Sequence, residues 1–245
     1  MPLLIALAAV AFLYASVGHA GASGYIAVLA LAGLPAPEIR AIALVLNVLV
    51  ASVGTLQFIA AGHFRRDVFV PLALVSVPAA LVGGAIALPA ALLRQLIGVV
   101  LLFSAWRLVG QLPGDPEAMR LPRRRVVALT GAALGLLAGL TGTGGGIFLT
   151  PWMILRSWLL PKQAAAVSVA FILVNSIAGL AGLVLRQGVA ALPDPAALAP
   201  LAGVVLIAGG LGAYGGSRRF PSPWIRRLLA VVLVIAAWKL LTVGS

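Results

Sequence analysis

Two stretches decide how this chain is read: GHAGASGY at residues 18–25 and GLTGTGGGIFLTP at residues 139–151. Each interrupts an apolar run with glycines and small hydroxyl side chains, and the first carries a histidine, His19. Glycine lets the backbone turn tightly and lets another group approach it closely. Two such breaks in corresponding places are the pattern of discontinuous helices around a transport site.

The surroundings of both stretches are those of a membrane protein. Of 245 residues, 62% are hydrophobic and 9% charged, with a mean hydropathy of +1.16. A soluble domain of this length needs far more charge on its surface. The net charge of +12 is spread between apolar segments, so it reads as helix-end orientation signals and not as a nucleic-acid surface. Cysteine is absent, which excludes disulfides, thiolate catalysis and cysteine-held metals. Residues 1–17 resemble the apolar core of a signal peptide but lack its basic flank, so they are expected to belong to the fold.

Ten apolar runs follow one another, at 3–17, 24–34, 41–61, 68–88, 92–109, 126–140, 146–160, 164–185, 196–216 and 224–243. Several reach the ~20 residues that cross a hydrocarbon core of about 30 Å. The pair around the first glycine stretch falls short, at roughly 22 and 16 Å for 1.5 Å per residue. Gly18, Gly21, Gly24 and Ile26 align with Gly139, Gly142, Gly145 and Ile147, and residues 89–109 align with 221–241 through Pro89/Pro221, Arg94/Arg226 and Trp106/Trp238. Five segments per half is an odd number, so the second copy must be upside down. The expected fold is an all-α polytopic transmembrane bundle of two inverted repeats, 1–109 and 126–245, joined by a Pro- and charge-rich linker at 110–125.

Alternating the segments puts thirteen of the seventeen Lys and Arg, including those of the linker, on one side. The positive-inside rule makes that side cytoplasmic and places both termini outside; the expected location is a bacterial plasma (inner) membrane. The short pairs either cross the bilayer or dip in as hairpins and return. As hairpins, one enters from each side and their tips meet near the midplane.

Backbone at that depth must be helical or line a protein cavity. A helix start offers unpaired N–H groups and the positive end of the dipole, a combination that favours an anion. Gly21, Ala22, Ser23 and Gly24 on the first tip, and Thr141, Gly142, Thr143, Gly144, Gly145 and Gly146 on the second, are the candidate substrate-binding residues. Hydroxyls of Ser23, Thr141 and Thr143 are expected to add donors, and Asn47 and Asn175 to line the path. The competing role for these small residues is close helix packing. None of the five acidic residues lies inside an apolar segment. That leaves His19, with an ordinary pKa of about 6.5, as the candidate proton carrier.

The glycine run with its proline, followed by LPKQAAAVSVAFILVNSIAG at 160–179, resembles the second-half signature of the TauE/SafE sulfite exporter family, also called the 4-toluene sulfonate uptake permease family. The counterpart at 18–47 is more degenerate, with Ala22, Ser23 and Tyr25 in place of Thr143, Gly144 and Gly146. The resemblance implies secondary transport of a small inorganic or organosulfur anion such as sulfite. No cofactor and no enzymatic step are expected, and a metal is disfavoured because the apolar segments offer no carboxylate or thiolate and one histidine. A passive anion channel would use the same residues. A rhomboid-like intramembrane protease is the rival from another class, since Gly21-Ala22-Ser23-Gly24 fits its Gly-x-Ser-Gly motif. Such a serine needs a histidine within hydrogen-bond reach.

Overall fold

The computed structural model describes residues 1–86 and 122–221 and, beyond them, the single helical positions Trp224, Arg227, Val231, Val234 and Trp238. The fifth apolar run, the linker up to residue 121, and the repeat markers Pro89, Arg94, Trp106 and Arg226 lie outside the described residues. The described part is all helical: α1 (Pro2–Ser16), α2 (Ala22–Leu31), α3 (Ala36–Ala60), α4 (Arg66–Ala85), α5 (Arg124–Thr141), α6 (Gly146–Leu155), α7 (Pro161–Gln187) and α8 (Pro195–Tyr214), with a π-turn at Gly215–Arg219.

The starts of these helices follow local chemistry. Pro161 and Pro195 open α7 and α8, where a missing N–H costs nothing. Asp194 caps α8 by accepting from the N–H groups of Ala196 and Ala197. Gln163 Oε1 accepts from the Leu160 N–H at the start of α7. Among the described residues, five helical stretches are long and apolar enough to cross a membrane, whereas α1 and α6 are shorter. Leu56, Leu74, Leu129, Leu185 and Ile207 point outward, as they would toward lipid.

At the centre α3 and α7 pack antiparallel. Asn47 lies opposite Ser176, and Gly54 opposite Val169. Around this pair, α4 packs on α5 and α7, while α8 packs on α1 and α3; α2 leans on α3 and α6 on α7. Exchanging α1–α4 with α5–α8 leaves that set of neighbours unchanged. Helix α7 serves two apolar clusters. Ala165, Val169 and Ile172 join α1, α2, α3 and α8, while Ala164, Val167 and Phe171 join α4, α5 and α6.

Two seams bring backbones into contact. Gly131, Gly135 and Gly139 of α5 face Leu72, Ser76 and Ala80 of α4 in the same order, so these helices run parallel. Gly212 of α8 and Gly216 just beyond it face Phe12 and Ser16 of α1 in the same way. A Cβ at Gly135 would strike the Ser76 carbonyl, and one at Gly139 the Ala80 carbonyl. Glycine at every fourth position is thus a packing requirement here, since lipid provides no hydrophobic drive between helices and close van der Waals contact must hold them.

These contacts fix the direction in which the short segments run. Gly24 abuts Val10 and Tyr14, so α2 folds back along α1. Likewise Gly144 lies by Ser176 and Thr150 by Ser168, so α6 runs back along α7 while α5 runs with it. Both short pairs are hairpins, opening at opposite ends of α7.

The seam yields a direct test. Gly135→Ala should lower the thermal unfolding midpoint in detergent, by an amount equivalent to about 1–3 kcal/mol of overpacking. Gly203→Ala in α8, where a Cβ meets nothing within 4 Å, should leave the midpoint unchanged or raise it slightly.

Candidate functional site

The second tip is built by three left-handed glycines in four residues. Gly142 (φ +72°) ends α5, and Gly144 (φ +71°) and Gly145 (φ +77°) lead into α6. Side chains other than glycine rarely adopt such angles. No side chain caps α6, and the first bonds back to the Gly145 carbonyl come from Phe148 and Leu149. The N–H groups of Gly144, Gly145, Gly146 and Ile147 therefore lack partners among the described residues, as expected of an uncapped helix start.

Beside Gly144 stand Asn47 from α3 and Ser176 from α7. A Cβ at Gly144 would lie 3.2 Å from Asn47 Nδ2 and 2.9 Å from Ser176 Oγ. Asn47 and Ser176 are fully buried, joined by a long Nδ2–Oγ bond of 3.4 Å, and Asn47 Oδ1 has no partner. Such spare hydrogen-bonding capacity in a buried group calls for a reason. The threonine hydroxyls differ from expectation. Thr141 donates to the Leu137 carbonyl at 2.6 Å, and Thr143 then donates to Thr141 Oγ1 at 2.7 Å. Both protons are spent within the tip, and its free donors are backbone N–H groups.

At the first tip Ser23 donates to Tyr14 OH at 3.1 Å, so its proton too is committed. The Tyr25 ring lies over Gly21, and its buried hydroxyl has no partner. His19 Nε2 meets Thr150 Oγ1 of α6 at 2.9 Å. Thr150 in turn donates to Ser168 Oγ at 2.7 Å, with the Gly146 carbonyl 3.2 Å away as its other acceptor. The His19–Thr150 bond forms with either ring tautomer, and the buried Nδ1 has no partner. This chain ties the first tip to the start of α6.

The tips overlap in depth. Gly18 reaches Ala165 of α7, and Gly144 reaches Ser176 from the other end. Those positions are about 16 Å apart at 1.5 Å per residue. Each hairpin therefore passes the middle of α7 (Pro161–Gln187), and the link between them is the His19–Thr150 bond.

Of the residues expected from sequence, Gly144–Gly146 and Asn47 come together at the second tip. Ala22, Ser23 and Gly24 stand with Tyr14 at the first. The Asn175 amide bonds to Phe171 within its own helix, at 2.8 Å. Sequence reasoning missed Tyr14 and Thr150, and did not single out Arg40. Tyr14 and Thr150 are hydroxyl-bearing side chains within long apolar runs, a signal that was present. Arg40 is half-buried in α3 beside Gly142. Neither histidine bonds Ser23: His19 goes to Thr150, and His63 to the Ser217 carbonyl at 2.9 Å. The serine thus lacks the base that a protease requires.

Among the described residues, the all-helical bundle with apolar outer faces and five helices long and apolar enough to cross a membrane is that of a multi-pass membrane protein. The chain belongs to the sulfite exporter TauE/SafE family, whose sequence model matches residues 3–240. It is 36% identical over 245 residues, covering 98% of this chain and 97% of the relative, to a probable membrane transporter protein, y4hK, of Sinorhizobium fredii. No solved structure matches it.

Thr150→Val keeps the shape of the side chain but removes the partner of His19. Interhelical hydrogen bonds in membranes average ~0.6 kcal/mol and reach ~1.7. The variant should therefore unfold at a lower temperature in detergent, and a His19→Ala, Thr150→Val double-mutant cycle should show coupling of that size.

Proposed function

We propose that this protein is a secondary transporter of a small sulfur oxyanion or organosulfonate, bound where α6 begins. The observation that carries the reading is the buried, uncapped helix start at Gly144–Ile147 beside the under-bonded Asn47. An anion there gains backbone donors and the dipole's positive end, while Asn47 Nδ2 and Ser176 supply side-chain donors. The site needs no cofactor. Ser23 and Gly24 at the start of α2 form the other wall of the path.

The two halves, 1–109 and 126–245, act as inverted repeats joined by a cytoplasmic linker at 110–125, in a plasma membrane with both termini outside. The interchangeable helix neighbours and the hairpins opening at opposite ends of α7 support that reading. One repeat rocks against the other, and the His19–Thr150 bond crosses the boundary between them. A proton on His19 accompanies the anion, and the His19–Thr150–Ser168 chain beside the start of α6 supports that reading.

The experiment is uptake of isotope-labelled sulfite and thiosulfate into proteoliposomes under an imposed potential, with and without a pH gradient. Wild type should show saturable uptake that the gradient accelerates. Asn47→Asp, similar in size but negative, should reduce uptake about tenfold or more by like-charge repulsion. Gly144→Ala should abolish uptake, since its methyl would lie 2.6 Å from Ile172 Cγ2 and fill the space by Ser176. His19→Gln should transport without responding to the gradient. Saturable uptake left unchanged by Asn47→Asp would remove the site from α6.

A further inference from the structure

A guanidinium inside an apolar bundle is expensive and has a function by default. Arg40 stands in the second turn of α3 with its Nη2 donating to the carbonyls of Gly139 at 2.6 Å, Gly84 at 3.1 Å and Gly83 at 3.4 Å. These carbonyls belong to the last turns of α5 and α4. Because the two helices are parallel, their negative ends lie together and hold the cation. That anchorage uses one nitrogen. The Nε–H is buried without a partner, and Nη1 makes no hydrogen bond among the described residues. Arg186 reaches the Ala85 carbonyl at the same end from an exposed position, at 2.8 Å.

The stem of Arg40 crosses the second tip. A Cβ at Gly142 would lie 3.1 Å from Arg40 Cγ and 3.6 Å from Leu44 Cγ. One face of α3, at 40, 44 and 47, therefore follows the tip from the ends of α4 and α5 down to Asn47 and Gly144. A clamp for carbonyls alone would leave the spare Nε–H unexplained.

We infer that Arg40 is the specificity-determining cation of the path: its uncommitted N–H groups take up an oxyanion at the α4–α5 end and pass it to Asn47 and the start of α6. The inference rests on the transport reading above and adds to it the choice of a doubly charged, hydrogen-bond-accepting oxyanion over a halide. Positive charge with spare donors suits such a group, because charge-assisted hydrogen bonds to oxygen are the stronger ones.

The test uses purified full-length protein in proteoliposomes, with labelled thiosulfate, whose charge is constant between pH 6 and 8. Arg40→Gln should raise KM for thiosulfate about tenfold or more, and chloride should then compete better than it does against wild type. Arg40→Lys should stay within about threefold of wild type, keeping the charge but losing the planar fork. Arg40→His should bind well at pH 6 and poorly at pH 8, beyond the change that wild type shows, since only the imidazolium supplies the charge. A purely structural arginine gives the opposite pattern: a lower unfolding temperature and fewer active molecules, with KM unchanged in Arg40→Gln and no added pH dependence in Arg40→His. That result overturns the inference and leaves transport standing. If Arg40→Gln does not reconstitute, the pH profile of Arg40→His decides alone. Wild type that takes up neither thiosulfate nor sulfite overturns both readings together.

Discussion

Lipid accepts no hydrogen bonds, so every backbone group at membrane depth needs a protein partner, an ion or a ligand. The arrangement of this protein follows from that constraint at two places, the breaks at 17–21 and 142–145. A bare helix start such as Gly146 can exist inside an apolar bundle only if helices wall it off. The walls are α3 and α7, the two long helices that cross antiparallel through the centre and touch both hairpins. Everything else packs around them.

Close approach is then obtained by removing side chains. Gly131, Gly135 and Gly139 let α5 lie on the α4 backbone, and Gly212 and Gly216 let the end of α8 do the same on α1. With the outer helices held this way, the hairpins fill the space between them and the central pair. Their glycines serve a different purpose. Gly142, Gly144 and Gly145 are left-handed positions that reverse the chain within four residues and expose its N–H groups. One residue type thus serves packing along the α5 seam and a polar surface at its tip.

The polar atoms of the interior form two groups. Around the second tip, Asn47, Ser176 and the start of α6 have capacity to spare, and Arg40 holds a positive charge at the ends of α4 and α5. Around the first, Tyr14, Ser23 and His19 are mostly satisfied by one another and by Thr150. The His19–Thr150–Ser168 chain is where the first hairpin meets α6 and α7 directly. Separating the first hairpin from α6 would break or redirect that buried hydrogen bond.

Helix content and membrane character were legible in composition and in the spacing of apolar runs, because both depend on one-dimensional quantities, transfer energy and length. The glycine breaks were legible too, since left-handed backbone admits few other residues, and the run at 139–151 carries its family's signature strongly enough to be recognised. Partnership was not. That the hydroxyls of Ser23, Thr141 and Thr143 spend their protons on neighbours depends on rotamers and on which helix lies alongside. That Arg40 lies half-buried against backbone carbonyls depends on two parallel helices ending beside it. The same holds for the depth of the tips. Sequence places a turn in the chain, but whether two turns meet or pass each other is decided by the register of α3 against α7, which only side-chain packing in three dimensions sets.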